Sequence, residues 1–182
     1  MKKILFLICL VLFTGVLSLF AQPAQPGYKI ANRIHLEGDG GWDYLTADAA
    51  NNRLFVSHST MVQVVDLQKG ALLATISYTK GVHCIALAAD LNKGFISCGR
   101  DSSVVVFDLS SYKVIERVKV TCRNPDAILY DPYKKIVFTF NCGSSNSTVL
   151  DANTNQVLAT IPLAGKPEFS ASDKKGKVYV NI

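Results

Sequence analysis

The sequence predicts an all-β chain, a β-propeller of four-stranded blades, on three observations. Short runs of β-branched and aromatic residues are bounded by Asp, Asn, Gly and Pro, the pattern of strands and turns. These runs recur in groups of four at a step of about 42 residues, a period characteristic of propeller blades. Many of the runs are apolar on both faces rather than alternating. That composition suits a sheet covered on each side by a neighbour, because a lone blade cannot bury both faces.

Taken in order, Met1–Ala21 reads as a secretory signal peptide: Lys2 and Lys3 lead an apolar run from Ile4 to Phe20, and Ala21 precedes the polar QPAQPG stretch. The competing reading is an uncleaved membrane anchor, since the run is near the lower length limit for spanning. Cys9 lies inside the apolar run, a poor position for lipid attachment. Residues 22–27 read as a linker and 28–182 as propeller repeats. Without residues 1–21 the balance is 17 basic to 14 acidic residues, a mild excess and not the footprint of a nucleic-acid binder. Tyr28–Gly38 matches Gln156–Gly165, with Ile30 on Val157, Ile34 on Ile161 and Leu36 on Leu163, so it reads as an outermost fourth strand without its first three.

The clearest unit is Asn124–Lys166, with strands at Ala127–Tyr130, Ile136–Phe140, Ser147–Leu150 and Val157–Leu163. An Asp taken to close the first strand recurs at Asp48, Asp90, Asp131 and Asp173. The third strand ends in Asp66, Asp108 and Asp151, within VVD, VFD and VLD. Fourth strands read LLATISY, VIERVKV and VLATIPL.

The VYVN of Val178–Asn181, the VVD and VLD strand ends and the Gly165-Lys166-Pro167 approach resemble the YVTN-type repeat, and the whole string is similar to the YncE-like propeller proteins of bacteria. The resemblance covers about residues 28–182 and implies a secreted propeller, typically of seven blades, usually without an assigned activity. The reading gives fifteen strands, an incomplete ring of about 3.75 blades, as in a chain truncated from a seven-bladed propeller. The alternative is a small ring of about four blades lacking one strand. Unpaired sheet edges predict poor solubility or edge-to-edge association.

Candidate functional residues come from the loops that enter the first strands, where propeller ligands meet the axial channel. Those loops supply Trp42, Asp43, His83, Arg123, Asn124, Asp126 and Glu168. Aligning on the closing Asp places Asp43, Ile85, Asp126 and Glu168 at one position. Acidic groups with a nearby imidazole suit a polar ligand or a divalent cation. Carboxylates that cap local turns would look the same. Trp42, the sole tryptophan, stands where other repeats carry Cys84, Pro125 and Pro167; it suits ring stacking or plain space-filling. His35 reads as outward facing, and His58 as able to reach the surface.

No hydrolase, zinc-protease, haem-attachment or phosphate-loop signature is present. Cys84, Cys98, Cys122 and Cys142 remain after cleavage and allow three pairings, but without C-x-x-C spacing they read as replacements of small residues and not as a disulfide framework, Cys98–Cys142 being the favoured bridge were one to form. Asn146-Ser147-Thr148 matches a glycosylation acceptor. The reading is an exported, non-catalytic binding scaffold, periplasmic or secreted. It has no cofactor or metal, and an unidentified small molecule or protein meets the rim. After cleavage it is not held at a membrane, and nucleic acid is not the expected partner. The runner-up is a metal-assisted hydrolase or lactonase-type propeller, or an enzyme's accessory subunit; weak nucleic-acid binding is the third.

Overall fold

The computed structural model describes residues 27–182. The expected signal peptide at 1–21 and nearly all of the linker at 22–27 lie outside the described residues. Residues 27–33 carry no regular structure, and Ile34–Ile182 is a compact unit of its own.

The described residues form fourteen strands. Blade 1 holds β1 (Trp42–Asp48), β2 (Arg53–His58), β3 (Met61–Asp66) and β4 (Ala71–Ser77). Blade 2 holds β5 (Val82–Ala88), β6 (Lys93–Cys98), β7 (Ser103–Asp108) and β8 (Val114–Lys119). Blade 3 holds β9 (Pro125–Asp131), β10 (Ile136–Asn141), β11 (Asn146–Asp151) and β12 (Val157–Pro162). A two-stranded sheet follows, β13 (Ser170–Ser172) with β14 (Val178–Val180). Each full blade is an antiparallel meander in chain order. First strands neighbour one another, β1 against β5, β5 against β9 and β9 against β13, so the sheets radiate from a shared axis.

One expected strand is absent. Tyr28–Gly38 forms no strand, and Tyr28 and Ile30 are exposed. An outermost strand exists by pairing with the third strand of its own sheet, and no described sheet offers one. The count is therefore one fewer than the sequence suggested.

The repeat register also needs correction. Asp48 pairs with Arg53, Ala88 with Lys93 and Asp131 with Ile136, so Ala88, not Asp90, closes the first strand of blade 2. Asp90 lies two residues on, in a 3-10 turn. There it reaches across to blade 3, accepting a hydrogen bond from the Tyr130 hydroxyl at 2.9 Å and pairing with Lys135.

The third-strand aspartates have a local reason. Asp66 Oδ1 accepts the amides of Gln68 and Lys69, Asp108 Oδ1 those of Ser110 and Ser111, and Asp151 Oδ1 those of Asn153 and Thr154, all between 2.7 and 3.0 Å. Each carboxylate thus folds the turn into the fourth strand, a task suited to Asp and Asn.

The core is two layers between blades. Phe55, Val62, Val64 and Ile76 of blade 1 meet Val82, Ile85, Ile96, Val105 and Phe107 of blade 2. The opposite face of blade 2, with Ala86, Phe95, Val104, Val106 and Val118, meets Ile128, Val137 and Leu150 of blade 3. Successive residues of β6 and β7 thus enter different layers, which explains apolar runs without alternation. Gly94 is required in that arrangement, because a Cβ there would sit 2.1 Å from the Phe107 ring.

Basic residues clamp the layers at equivalent positions. Arg53 Nη1 donates to the Leu109 carbonyl at 2.7 Å, and Arg53 also binds Asp48. Lys93 Nζ donates to the Ala152 carbonyl at 3.0 Å and the Asn153 carbonyl at 2.7 Å.

Candidate functional site

The corrected register changes which residues are equivalent. Trp42 pairs with His58, Val82 with Cys98 and Pro125 with Asn141; each pairing is followed by an irregularity before regular register resumes at Leu45, Ile85 and Ile128. The same two residues per blade fall within it: Asp43 and Tyr44, His83 and Cys84, Asp126 and Ala127. A bulge in a strand re-aims side chains, and such bulges favour functional sites. Glu168 and Phe169 approach β13 in the matching place.

These eight residues line one cavity of about 40 Å³ at the axis. His83 therefore occupies the ring position that the sequence alignment had given to Ile85, whose side chain is buried between blades 1 and 2. His83 donates Nδ1–H to Asp43 Oδ2 at 2.7 Å, and the same nitrogen lies 3.8 Å from Asp126 Oδ1. Its Nε2 is 3.1 Å from Asn124 Oδ1. Gly99 makes that last contact possible: a Cβ there would lie 2.0 Å from Asn124 Oδ1 and 2.6 Å from His83 Nε2. Asn124 itself adopts φ +52°, a left-handed conformation that Asn tolerates better than most residues. Glu168 is bound by Lys166 Nζ at 2.6 Å. Tyr44 and Phe169 stand 5.9 Å apart by ring centroids at one side of the opening.

Two serines that the sequence reading did not single out hold this rim in place. Ser57 Oγ donates to the His83 carbonyl at 2.7 Å, and Ser97 Oγ donates to the Asp126 carbonyl at 2.5 Å. Both are buried on the second strand of one blade and reach the rim residue of the next. The signal was legible in FVSHS and FISCG, where Ser57 and Ser97 occupy the same place.

Of the seven rim candidates, Asp43, His83, Asn124, Asp126 and Glu168 come together. Trp42 and Arg123 do not line the cavity. Arg123 is exposed, its amide bonded to Ser144 Oγ. Trp42 lies on the outer face of blade 1, its ring stacked on His58 at 3.7 Å, and its counterpart in blade 2 is Val82 rather than Cys84. His58 is fully buried under that ring and bonded to Gln63 Oε1 at 3.2 Å, so it does not reach the surface. His35 is exposed.

The thiols are unpaired in all four cases. Cys98 packs between blades 1 and 2, whereas Cys142 contacts Asn124, so the Cys98–Cys142 bridge does not form. Burial pushes the Cys84 thiol up to about 11 and the Cys98 thiol to about 12, which keeps both protonated at neutral pH. Asn146 of the acceptor triplet begins β11 half-buried, with Ser147 and Thr148 buried. Among the described residues, no group of three or more His, Cys, Asp or Glu is arranged to hold a metal ion.

No known family's sequence profile matches the chain, and no curated protein does. Solved structures do match. Hydrazine synthase of Kuenenia stuttgartiensis superposes with a TM-score of 0.72 at 19% identity, over 85% of this chain and 45% of that one. The chain thus spans less than half of that structure's length. At this identity the likeness concerns the fold alone, and it agrees with the propeller-type arrangement of radiating four-stranded sheets described above.

Proposed function

We propose that the chain is an exported, non-catalytic β-propeller module of the YncE-like, YVTN-repeat type, which binds its ligand at the axial mouth. The observation that carries this reading is the gathering of Asp43, His83, Asp126 and Glu168, one per sheet, around a single cavity. The ligand group that suits it is compact and cationic, an amine or guanidinium. The ring has three carboxylates to one imidazole, and the rings of Tyr44 and Phe169 add a face that attracts cations. Lys166 already illustrates the chemistry, its ammonium held on Glu168. Cys84, the thiol lining the cavity, stays protonated at neutral pH. Export rests on the Lys2-Lys3 and Ile4–Phe20 pattern, and the mature chain is expected to begin at Gln22.

Titration calorimetry with a panel of alkylammonium and alkylguanidinium compounds tests the reading. Binding should weaken at least about tenfold in Asp126→Asn and fall with added salt. Binding indifferent to Asp126→Asn, or metal-dependent ester hydrolysis abolished by Asp126→Ala, would overturn it in favour of a different site or an enzyme. N-terminal sequencing of protein recovered outside the cytoplasm tests the export claim.

A further inference from the structure

The turns between first and second strands lie at the far end of the first strands from the axial cavity. Asp126, near the start of β9, lines the cavity, and Asp131 ends the strand about 20 Å away at the usual rise per residue. In blades 1 and 2 these turns read AANN and ADLN, without a cation. The basic residue that follows each is engaged: Arg53 and Lys93 bind carbonyls of the next blade. The next two turns differ. Residues 132–135 read PYKK and residues 173–177 read DKKGK, which together hold five lysines.

The fold brings these two turns together. The Tyr133 ring lies against Gly176, where a Cβ would sit 3.2 Å from it, and Gly176 holds φ +103°, a conformation that glycine adopts readily. Lys134 Nζ is 5.2 Å from the centroid of the same ring. The acids nearby are engaged. Asp131 is buried and accepts the Ser172 hydroxyl at 2.6 Å, Asp173 accepts the amides of Lys175 and Lys177 at 2.7 and 3.0 Å, and Asp90 pairs with Lys135. Lys134, Lys174, Lys175 and Lys177 are exposed and pair with no acid among the described residues. Stacking of blades leaves such turns in water. In blade 2, which packs against a blade on each face, Ala89, Asp90 and Asn92 of the same turn are exposed.

We propose that these two turns form a second binding site, separate from the axial mouth, for an acidic polysaccharide laid along them. A linear ligand fits because the free cations occupy one arc. Asp66, Asp108 and Asp151 stand in the outer turns at the same end of the sheets and would repel an anionic membrane spread over that end. A glycan fits better than single-stranded nucleic acid, which takes free aromatic faces for its bases; Tyr133, the aromatic of these turns, already lies against Gly176 and Lys134. The cations are all lysines, compact point charges suited to spaced carboxylates, not the arginine forks that grip phosphates in pairs.

Binding of the protein to polygalacturonate, followed by biolayer interferometry, tests this beside neutral dextran, a single-stranded DNA oligomer and phosphatidylglycerol vesicles. Polygalacturonate should bind and dextran should not, and affinity should fall at least about tenfold between about 0.05 and about 0.2 M salt. Lys134→Glu with Lys175→Glu, one change in each turn, should weaken binding at least about tenfold. Lys69→Glu with Lys113→Glu makes the same change in net charge in the outer turns of that end and should weaken it less than about twofold. No binding to polygalacturonate, equal binding to dextran, equal losses in the two double variants, or tighter binding to the DNA or the vesicles would overturn the proposal. Should the first double variant lose its cooperative melt, Lys134→Gln with Lys175→Gln runs the same comparison against Lys69→Gln with Lys113→Gln.

Discussion

Blade 2 and blade 1 place apolar side chains at the same positions of the same strands, yet among the described residues blade 2 packs against a blade on each face and blade 1 on one only; on blade 1's other face Leu45 is exposed while Val56 and Val65 are buried. Ile85 is buried and Leu45 exposed, although both are aliphatic, both lie in a first strand and both follow the same irregularity. The difference lies in the neighbour and not in the residue. Burial in a stacked fold belongs to the interface between units, so its energy appears only where two units meet.

The largest effects should separate equivalent positions. Phe95→Ala removes a ring enclosed between blades 2 and 3 and should cost about 3–5 kcal/mol, whereas Tyr179→Ala should cost less than about 1 kcal/mol. Urea denaturation of the two variants reads this directly; similar losses would break the comparison. Next, Ile85→Ala should cost about 3 kcal/mol and Leu45→Ala well under half of that, by the same measurement.

Ser97→Ala sharpens the picture at the rim. Its hydroxyl bridges the Cys84 amide, at 3.0 Å, and the Asp126 carbonyl, so its loss leaves two buried groups unpaired and should cost roughly 1–3 kcal/mol. It should also shift Asp126, which nuclear magnetic resonance would detect as a change at residue 126 larger than at Arg123. An unchanged Asp126 would mean that the serine does not position the rim.

The smallest effect concerns the outer turns. Hydrogen bonds from the amides of Lys69, Ser111 and Thr154 hold the carboxyls of Asp66, Asp108 and Asp151 below the usual range. A depressed folded value means that the unfolded chain takes up protons first. The stability from these turns is complete well above about pH 4 and fades as the pH falls through the lower folded values. Melting curves from pH 7 down to pH 3 should show a decline in the acid range that is smaller in Asp108→Asn. An equal decline in that variant would remove these turns from the acid response.

Much of this was legible in the chain. The VVD, VFD and VLD ends gave the outer turns because an Asx turn is a local event, decided within four residues. The doubly apolar β6 and β7 gave the stacked blades. The rim was read only in part. Asp43, Asp126 and Glu168 share one position in the sequence and line one cavity in the structure, but Asp90 looks like Asp48 and Asp131 in sequence while sitting beyond the end of its strand. The alignment therefore put Ile85 where His83 belongs. The irregularity at the start of each first strand, which turns two residues toward the axis, depends on pairing that no local sequence reveals. The match of Trp42 to Cys84 and the surface reach of His58 fail for the same reason: the stacking of Trp42 on His58 is set by the pairing of β1 with β2.

Hydrogen exchange followed by mass spectrometry tests the central claim most directly. If stacking between blades holds this fold, amides of β6 and β7 (Lys93–Asp108) exchange last, those of β2 and β3 earlier, and those of residues 27–41 and of β13 and β14 first. Equal protection of blades 1 and 2, or β14 as slow as β7, would contradict it.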